Sequence, residues 1–404
     1  MPAPGYLPDS GSRTRPALRD FLHDEAAGGL VLVAATVVAL VWANAAYASY
    51  TTFWHRELTV GSGPHAVTED LLHWVNDGLM TVFFFVVGLE IKRELVVGEL
   101  RALRAAVLPA VAALGGVLLP ALLYLGLAPA DARHGWGIPM ATDIAFAVGV
   151  LALVGRASTG GSKLFLLSVA IVDDVLAIVV IALVYSGTIH GRWLAVAAAA
   201  VLVVLVMRRV VATPWAYVVP AVLLWYALLE SGVEATLAGV VLGLLTPATP
   251  VRGRPVLDEL EHRLHPVSAF VVVPLFALAN AGIHLLGGLV GAALSQRLAW
   301  AVAVGLVVGK LAGISGATVG AVRSGLGTLP GDMSRRETWP VAALGGIGFT
   351  VALYIADLAF EEQQQVDEAK VGIFLGSLVA AALGAALLRL TRRRSARSAP
   401  SVPA

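Results

Sequence analysis

The chain has 404 residues, of which 58% are hydrophobic, with a mean hydropathy of +0.82 and a formal net charge of +1. Only 14% are charged, against about 25% in soluble domains, so the composition excludes a soluble enzyme with one membrane anchor and favours many membrane spans. The net charge gives no indication of nucleic-acid binding, and the absence of cysteine excludes disulfides, thiolate metal sites and cysteine nucleophiles.

Apolar segments recur along almost the whole chain, and their lengths match bilayer crossings. The first two dozen residues are polar and lack the early apolar core of a signal peptide, so the first span is expected to stay in the mature protein. We predict an all-α polytopic membrane protein with about twelve transmembrane helices, near 26–46, 71–91, 106–127, 137–154, 164–185, 193–207, 216–229, 231–247, 266–288, 298–319, 338–358 and 371–388. The stretches 216–229 and 231–247 are short and also fit one interrupted span, which would give eleven.

The distribution of Lys and Arg predicts the orientation. With the N-terminus in the cytoplasm, 22 of the 28 basic residues lie in cytoplasmic segments, 5 lie outside, and Lys310 lies within a span. Both termini are then cytoplasmic. We predict a cytoplasmic tail at 1–25, one transmembrane domain at 26–390, and a basic, disordered tail at 391–404 near anionic lipid.

Two predicted spans carry helix-breaking residues. Span 137–154 has the stretch Pro139–Asp143 in its first half, and span 338–358 has three glycines within Gly345–Gly348. Such interruptions in distant spans of two halves are typical of discontinuous helices at a transport site. The two spans are the middle members of three-span groups at 106–185 and 298–388. In an inverted repeat, these groups would bring their breaks together at the membrane midplane.

Two adjacent aspartates, Asp173 and Asp174, lie at the middle of the apolar stretch Leu164–Tyr185. A carboxylate at the bilayer centre costs about 2.5–3.5 kcal/mol on insertion scales, and two like charges side by side repel each other. Adjacent helical residues point about 100° apart, so both can border one cavity. We predict that the pair holds protons or a hard cation. The alternative is a structural pair satisfied by Ser or Thr on neighbouring helices.

A buried ammonium at Lys310, in the predicted span Leu298–Val319, needs a carboxylate partner, which is either member of the aspartate pair or Asp143. Thr142 and Asp143 lie at the predicted break of the fourth span, where Asp143 can neutralise half-helix N-termini. Protons and a cation that compete for the same oxygens are exchanged if the site faces one side at a time. The chain has no GxxxxGK[ST] motif for ATP, so the expected driving force is an ion gradient and no cofactor is predicted.

Charged groups gather at the predicted cytoplasmic face. Those at the end of the second span are Glu90, Lys92, Arg93 and Glu94. Those that precede the ninth span are Glu259, Glu261, His262, Arg263 and His265. An ordinary membrane-interface rim and a pH-sensing mouth that attracts cations both fit this pattern. The two histidines have a spacing that zinc ligands use, but the order EHRLH differs from the metalloprotease HExxH motif.

The chain resembles the NhaA family of sodium/proton antiporters over about residues 20–390. The stretches that carry the resemblance are NDGLMTVFFFVVGLEIKREL (76–95), PMATDIAFAVGVLALVG (139–155), AIVDDVLAIVVIAL (170–183), SGVEATLAGV (231–240), LEHRLHP (260–266), PLFALANAG (274–282), GLVVGKLAGI (305–314) and GGIGFTVALYIADLAF (345–360). The resemblance implies a secondary transporter, not an enzyme, in a bacterial plasma membrane. It implies twelve helices, with the fourth and eleventh discontinuous and crossed. It also implies electrogenic exchange of cytoplasmic Na⁺ or Li⁺ for external H⁺, activated at alkaline pH.

The resemblance also implies roles for matching residues. Asp174 and Asp173 match the cation and proton site, and Lys310 matches a lysine that pairs with Asp173. Thr142 and Asp143 match the break of the fourth helix, and the pH-responsive region is matched by Glu90, Arg93, Glu94, Glu261 and His262. Glu234 stands where the best-known pattern has a histidine linked to the pH response. We therefore expect a shifted activation pH. Within the matched cation and proton site, we expect Asp174 to be the main cation ligand and Asp173 to be the proton carrier.

Three other classes of protein share some of these features. An intramembrane aspartyl protease would use Asp143 and Asp173 as lone carboxylates, whereas this chain has an adjacent pair and a lysine. A retinal protein with Lys310 as its Schiff base needs about seven spans and an aromatic pocket. A transporter of the same fold that moves K⁺ or an organic anion is the closer alternative.

The resemblance also implies a homodimer, because members of the NhaA family dimerise through an external hairpin. The stretch 50–68 has the length and β-branched residues for one, with a turn at Gly61–Gly63. Membrane lipid is the other expected partner.

Overall fold

The computed structural model describes residues 14–61, 63, 66–154, 160–211, 213–284, 291 and 294–398. Among these residues, six helices are long and apolar enough to cross a membrane, and two bent helix pairs bring the number to eight if each pair is one span. The predicted all-α polytopic membrane class is therefore confirmed. The predicted ends at 1–13 and 399–404, and residues 285–288 of the predicted ninth span, lie outside the described residues.

The first half of the chain contains a β-hairpin between its first helices. In chain order its elements are α1 (Thr14–Ala45), α2 (Tyr47–Trp54), β1 (Glu57–Val60), β2 (Val67–Asp70), α3 (Met80–Val96), α4 (Leu103–Leu127), α5 (Ala130–Met140), α6 (Ile144–Val154), α7 (Gly160–Val184) and α8 (Gly191–Met207). The turn Leu71–His73 and the π-helical turn Trp74–Leu79 lead into α3, and Glu99–Arg101 is a single 3₁₀ turn before α4.

The second half consists of helices joined by turns and loops, with one isolated β-bridge between Val251 and Arg254 among its described residues. Its elements are α9 (Val218–Ser231), α10 (Leu237–Leu245), α11 (Val256–Val267), α12 (Val273–Asn280), α13 (Arg297–Val304), α14 (Lys310–Arg323), α15 (Thr338–Leu344), α16 (Phe349–Ala359) and α17 (Gln363–Ser398). The 3₁₀ turn Pro214–Tyr217 precedes α9, and π-helical turns at Ser268–Val272 and Gly305–Gly309 join α11 to α12 and α13 to α14.

Several predicted boundaries differ from the observed ones. The predicted ninth span, 266–288, is wrong at both ends, because one continuous helical run covers Val256–Asn280. Its first turns carry Asp258 and Glu259. Because these charged residues lower the local hydropathy, a prediction from hydropathy alone begins the span too late. The last helix continues to Ser398, eight residues into the stretch 391–404 for which the sequence predicts disorder. Between α9 and α10, Gly232 adopts a left-handed conformation with φ of 78°, which separates the two short helices.

The β-hairpin is two antiparallel strands paired from Glu57–Asp70 to Val60–Val67. Asp70 anchors its base by accepting hydrogen bonds from the His73 N–H and the rings of His55 and His73. Burial opposes ionisation of Asp70, yet these bonds together lower the pKa of its carboxyl. The contribution of the Asp70 carboxylate to this anchor is therefore present at neutral pH and weakens as the pH falls through that lowered pKa.

The two largest apolar clusters of the described residues meet along α7, which passes from one to the other. Phe165, Leu166 and Val169 belong to the smaller cluster, whereas Ile178 and Ile181 belong to the larger one. The adjacent aspartates of α7 lie between these two sets of residues, at the boundary of the clusters. This position brings the charged groups close to both bent helix pairs.

Close backbone contact between α4 and α14 predicts a large effect of one added methyl group. A Cβ on Gly115 would lie 2.4 Å from the Gly313 carbonyl oxygen and 2.5 Å from the Ala317 Cβ. Since backbone atoms have little room to move, we expect Gly115→Ala to lower the free energy of unfolding by about 1–3 kcal/mol or more. The measurement is thermal unfolding of the purified protein in detergent.

The matched control is Gly126→Ala on the same helix, because a Cβ there meets nothing within 4 Å. Helix propensity favours Ala over Gly, so this variant should be as stable as the parent or slightly more stable. Equal thermal stability of the two variants would contradict the close-packing account.

Candidate functional site

The two bent helix pairs have their breaks at the predicted residues and in contact with each other. α5 and α6 meet at 52° around residues 141–143, and α15 and α16 meet at 46° around residues 345–348. The Asp143 N–H donates to the Ile347 carbonyl oxygen over 2.6 Å, which joins the two breaks directly. A Cβ on Gly348 would lie 3.0 Å from the Ala141 carbonyl oxygen at the first break, so glycine permits this close approach.

Asp143 lies at the N-termini of two half-helices at once. Its Oδ1 accepts from the Phe146 N–H over 3.0 Å, at the first turn of α6. Its Oδ2 accepts from the Thr350 N–H over 3.1 Å and from the Thr350 hydroxyl, at the first turn of α16. A carboxylate in this position caps free N–H groups and opposes the positive ends of both helix dipoles. These contacts place the Asp143 carboxylate where it can compensate the positive N-terminal ends of α6 and α16.

Lys310 is fully buried and pairs with Asp173. Its Nζ donates to the Asp173 Oδ2 over 2.5 Å and to the Thr142 Oγ1 over 3.0 Å, and neither side chain of the ion pair is exposed. Of the three partners that the sequence left open, the structure therefore places Asp173 against the ammonium. Lys310 directly follows the π-helical turn Gly305–Gly309, a feature that is frequent at functional sites.

The hydroxyl of Thr142 joins the ion pair to the second break. Its Oγ1 lies 2.7 Å from the Asp173 Oδ2 and 2.8 Å from the Gly345 carbonyl oxygen. A hydroxyl has one hydrogen to donate, so Thr142 can donate to only one of these two acceptors at a time. Its bond to Asp173 thus competes with its bond to the backbone of the break.

Asp174 differs from its neighbour in its surroundings. The residue is 8% exposed, against 0% for Asp173. In the part of the chain with described side chains, its carboxylate has no hydrogen bond or ion pair, and the Asp173 Oδ1 is also without a partner. These oxygens are the ones available to a proton or cation. No group of three His, Cys, Asp or Glu side chains arranged for a metal ion occurs in the described chain.

The predicted pH-sensing residues do not form one cluster. Arg93 at the end of α3 makes an ion pair with Glu261 on α11, and the His265 Nε2 lies 4.0 Å from the Glu90 Oε1. Glu94 lies over Gly98, where a Cβ would meet its carboxylate. His262 is exposed, so the structure brings His265 rather than His262 toward this group.

Glu234 lies at the opposite end of α3 from these residues. The helix α10 that follows it packs with Gly239 against Thr81 and with Gly243 against Gly88, so its beginning is near the beginning of α3. Arg93 follows Thr81 by twelve residues, a rise of about 18 Å along the helix. The Tyr354 hydroxyl donates to the Glu234 Oε1 over 2.7 Å.

Sequence reasoning missed a second buried polar group around this point. The Asn76 Nδ2 donates to the Asp357 Oδ2 over 2.5 Å, and the Asn280 Nδ2 donates to the Asn76 Oδ1 over 2.8 Å. Asn280 and Asn76 are almost fully buried. The signal that could have found them is the presence of amide and carboxylate side chains within otherwise apolar predicted spans.

Comparison with known proteins gives one consistent family. The family described as Na⁺/H⁺ antiporter 1 matches residues 19–388. The Na⁺/H⁺ antiporter NhaA of Acidovorax sp. is 48% identical and the match covers 95% of this chain and 94% of that protein. Na⁺/H⁺ antiporter NhaA 3 of Frankia alni is 43% identical, over 96% of this chain and 92% of that protein. NhaA 2 of Erythrobacter litoralis is 44% identical, over 93% and 94% respectively. With a match over nearly its whole length, the chain belongs to the Na⁺/H⁺ antiporter 1 family.

Proposed function

We propose that this chain is a secondary transporter that exchanges cytoplasmic Na⁺ or Li⁺ for external protons, and that Asp173 and Asp174 form the exchange site. The observation that carries the proposal is a pair of adjacent buried carboxylates, one held by Lys310 and one without a partner among the described residues. The relatives that match along almost the whole chain carry the name Na⁺/H⁺ antiporter. This chemistry is transport and not an enzymatic reaction.

The proposed exchange uses competition for the same oxygens. Na⁺ and Li⁺ are hard cations that prefer oxygen ligands, and the free oxygens of Asp174 and Asp173 supply them, with the Thr142 hydroxyl and the Gly345 carbonyl adjacent. A cation that binds Asp173 competes with Lys310 for that carboxylate. When the cation leaves, protons bind the carboxylates or the Lys310 ion pair forms again. Two carboxylates can accept two protons for one departing cation, so the proposed exchange moves net charge.

The finer architecture also belongs to the proposal. We infer twelve transmembrane helices, with the α5–α6 and α15–α16 pairs as the crossed fourth and eleventh, because both pairs bend at breaks that contact each other. The groups 106–185 and 298–388 are the inferred inverted repeats. The inferred setting is a bacterial plasma membrane with both termini in the cytoplasm, supported by the distribution of basic residues.

Two inferred partners remain besides the ions. The β-hairpin presents exposed Leu58 and Val60 side chains, which suits pairing with the hairpin of a second copy as a homodimer. Membrane lipid surrounds the exposed apolar side chains of the spans. No cofactor is proposed.

The structure weakens two of the alternative functions. Both carboxylate oxygens of Asp143 accept hydrogen bonds from α6 and α16, so it is not placed as one acid of a protease dyad with Asp173. Lys310 donates from its amine to Asp173 and Thr142, which is not the arrangement of a Schiff base. The remaining alternative, a transporter of K⁺ or of an organic anion, is distinguished from a Na⁺/H⁺ exchanger by the vesicle experiment below.

The experiment uses inside-out membrane vesicles, acidified inside, with a pH-sensitive dye. We expect Na⁺ and Li⁺ to reverse the dye quench and K⁺ to leave it unchanged. A response to K⁺ alone would identify the alternative cation. No response to Na⁺ at any pH from roughly 6.5 to 9, the range where perturbed His and coupled carboxylates titrate, would refute the proposal.

We propose pH regulation at two places, the Glu90–Arg93–Glu94–Glu261–His262 region and Glu234. For Glu234→His we expect the activity–pH curve to move toward lower pH by up to about one unit, because a negative charge that favours protonation of nearby carboxyls is lost. The measurement is the dye response as a function of pH. Glu234→Asp is the matched control, since it keeps the charge, and an unchanged curve for Glu234→His would argue against this role.

A further inference from the structure

One stripe of α16 carries polar side chains at a spacing that places them on a single helix face. They are Thr350, Tyr354 and Asp357, at positions i, i+4 and i+7. Each one is hydrogen-bonded to a different part of the fold. Thr350 donates to Asp143 at the break of the α5–α6 pair, whereas the other two bind groups outside the exchange site.

The bonds of Tyr354 and Asp357 join α16 to three other elements. The Tyr354 hydroxyl donates to the Glu234 Oε1 and lies 2.8 Å from the Thr236 Oγ1, at the turn before α10. Asp357 accepts from Asn76 in the π-helical turn before α3, and Asn76 in turn accepts from Asn280 at the end of α12. We call this set the polar clasp, and its members are Tyr354, Asp357, Glu234, Thr236, Asn76 and Asn280.

The polar clasp lies toward the face of the molecule that carries the β-hairpin. Asn76 follows β2 by six residues, and Asp357 is near the last turn of α16, seven residues beyond the Thr350 that binds the break. Tyr354 is 1% exposed and Asn280 is 0% exposed. The rings of Phe84 and Phe276 pack against Tyr354 at centroid distances of 5.4 and 6.2 Å. In this conformation almost none of the Tyr354 surface is accessible to solvent, so the helix face between the hairpin side and the break is closed at this residue.

We propose that the polar clasp is the gate on the hairpin face. It holds that face closed in the conformation seen here, and it opens by separation of Tyr354 from Glu234 and of Asp357 from Asn76. The inference rests on the proposed function, because an exchanger must present Asp173 and Asp174 to each face in turn. A network that joins four elements is suited to this task, because each of its bonds stabilises only the closed arrangement.

The absence of cysteine from the chain allows a direct test by single-cysteine labelling. The reporter is Ala277→Cys, at a fully buried position three residues before Asn280 on α12. The reference is Thr59→Cys on the exposed strand β1, which shows from which side of the membrane the hairpin is reached. A membrane-impermeant maleimide is added to intact cells and, separately, to inverted vesicles, in buffer without Na⁺ or Li⁺.

We expect Tyr354→Phe to increase the labelling rate of the reporter about fivefold from the side that labels Thr59→Cys. The increase corresponds to the loss of one hydrogen bond of about 1 kcal/mol in favour of the open state. The matched control is Tyr124→Phe, which removes a fully buried hydroxyl that donates to the Ala132 carbonyl oxygen over 2.7 Å and has no contact with the polar clasp. It should leave the labelling rate unchanged.

Three results would overturn the gate proposal. They are an unchanged labelling rate in Tyr354→Phe, an equal increase in Tyr124→Phe, and an increase only from the side of the membrane opposite to the one that labels Thr59→Cys. If Tyr354→Phe does not reach the membrane, Asp357→Leu, which removes the acceptor of the Asn76 hydrogen bond, takes its place with the same expected and contrary results. The labelling requires no transport. A failure of the gate is therefore distinguishable from a failure of the proposed exchange, which appears as a missing dye response in the parent protein.

Discussion

Asp174→Asn is expected to lower Na⁺-dependent exchange by about 100-fold or more while the protein stays folded. The substitution keeps the size of the side chain but removes the carboxylate that has no partner among the described residues, and a lost charge-assisted contact to an ion is worth about 3 kcal/mol. Since a buried charge is itself unfavourable, thermal stability should be unchanged or higher. The dye response in inverted vesicles and thermal unfolding in detergent measure the two effects.

The matched control is Asp131→Asn, which neutralises an exposed aspartate at the beginning of α5, the end of that helix opposite to the break. It should retain the full dye response. If Asp174→Asn exchanges Na⁺ as well as Asp131→Asn does, Asp174 is not a ligand of the transported cation and the division of roles within the pair is wrong.

Lys310→Met is expected to cause the largest loss of stability among single changes at the site. It leaves the buried Asp173 carboxylate without its ammonium, and breaking a buried ion pair from one side costs about 3–5 kcal/mol. At about 2 °C per kcal/mol for a large domain, the unfolding temperature should fall by roughly 6–10 °C. The loss should be greater at alkaline than at acid pH, because protonation of the carboxyl removes the buried charge.

The double variant Lys310→Met with Asp173→Asn separates this electrostatic effect from a packing defect. Removing both charges together should restore most of the lost stability, since replacing a whole buried pair is often nearly neutral. A double variant that is as unstable as Lys310→Met, at both acid and alkaline pH, would show that the lysine is needed for its shape and not for its charge.

The charged residues of the site were predictable from the sequence because they lie within apolar stretches. Asp173, Asp174 and Lys310 are charged residues within long apolar stretches, so their cost in a membrane identified them without a structure. The breaks around Asp143 and Gly345–Gly348 were predictable for a similar reason, because helix-breaking residues stand out in a span. The choice of Asp173 as the partner of Lys310 came from resemblance and not from spacing, since two adjacent aspartates are equivalent in a hydropathy pattern.

Features that depend on contacts between distant segments were not predictable in this way. Tyr354 is an ordinary residue in an apolar span, and only the folded chain places its hydroxyl against Glu234, which is 120 residues earlier. The beginning of the helix at Val256 was missed because its first turns are charged. The sequence predicts one pH-sensing role for Glu234, Glu90 and Glu261, although most of the length of α3 separates Glu234 from the other two.

The most direct test of the account is uptake of radioactive Na⁺ by the purified protein in liposomes that are acidic inside and alkaline outside, with the membrane voltage clamped by K⁺ and valinomycin. Proton-coupled exchange at the aspartate pair predicts that Na⁺ accumulates inside as protons leave, that dissipating the pH gradient abolishes the accumulation, and that Asp174→Asn liposomes accumulate none. Na⁺ accumulation that is equal with and without the pH gradient, or equal in Asp174→Asn, would contradict proton-coupled exchange at the aspartate pair.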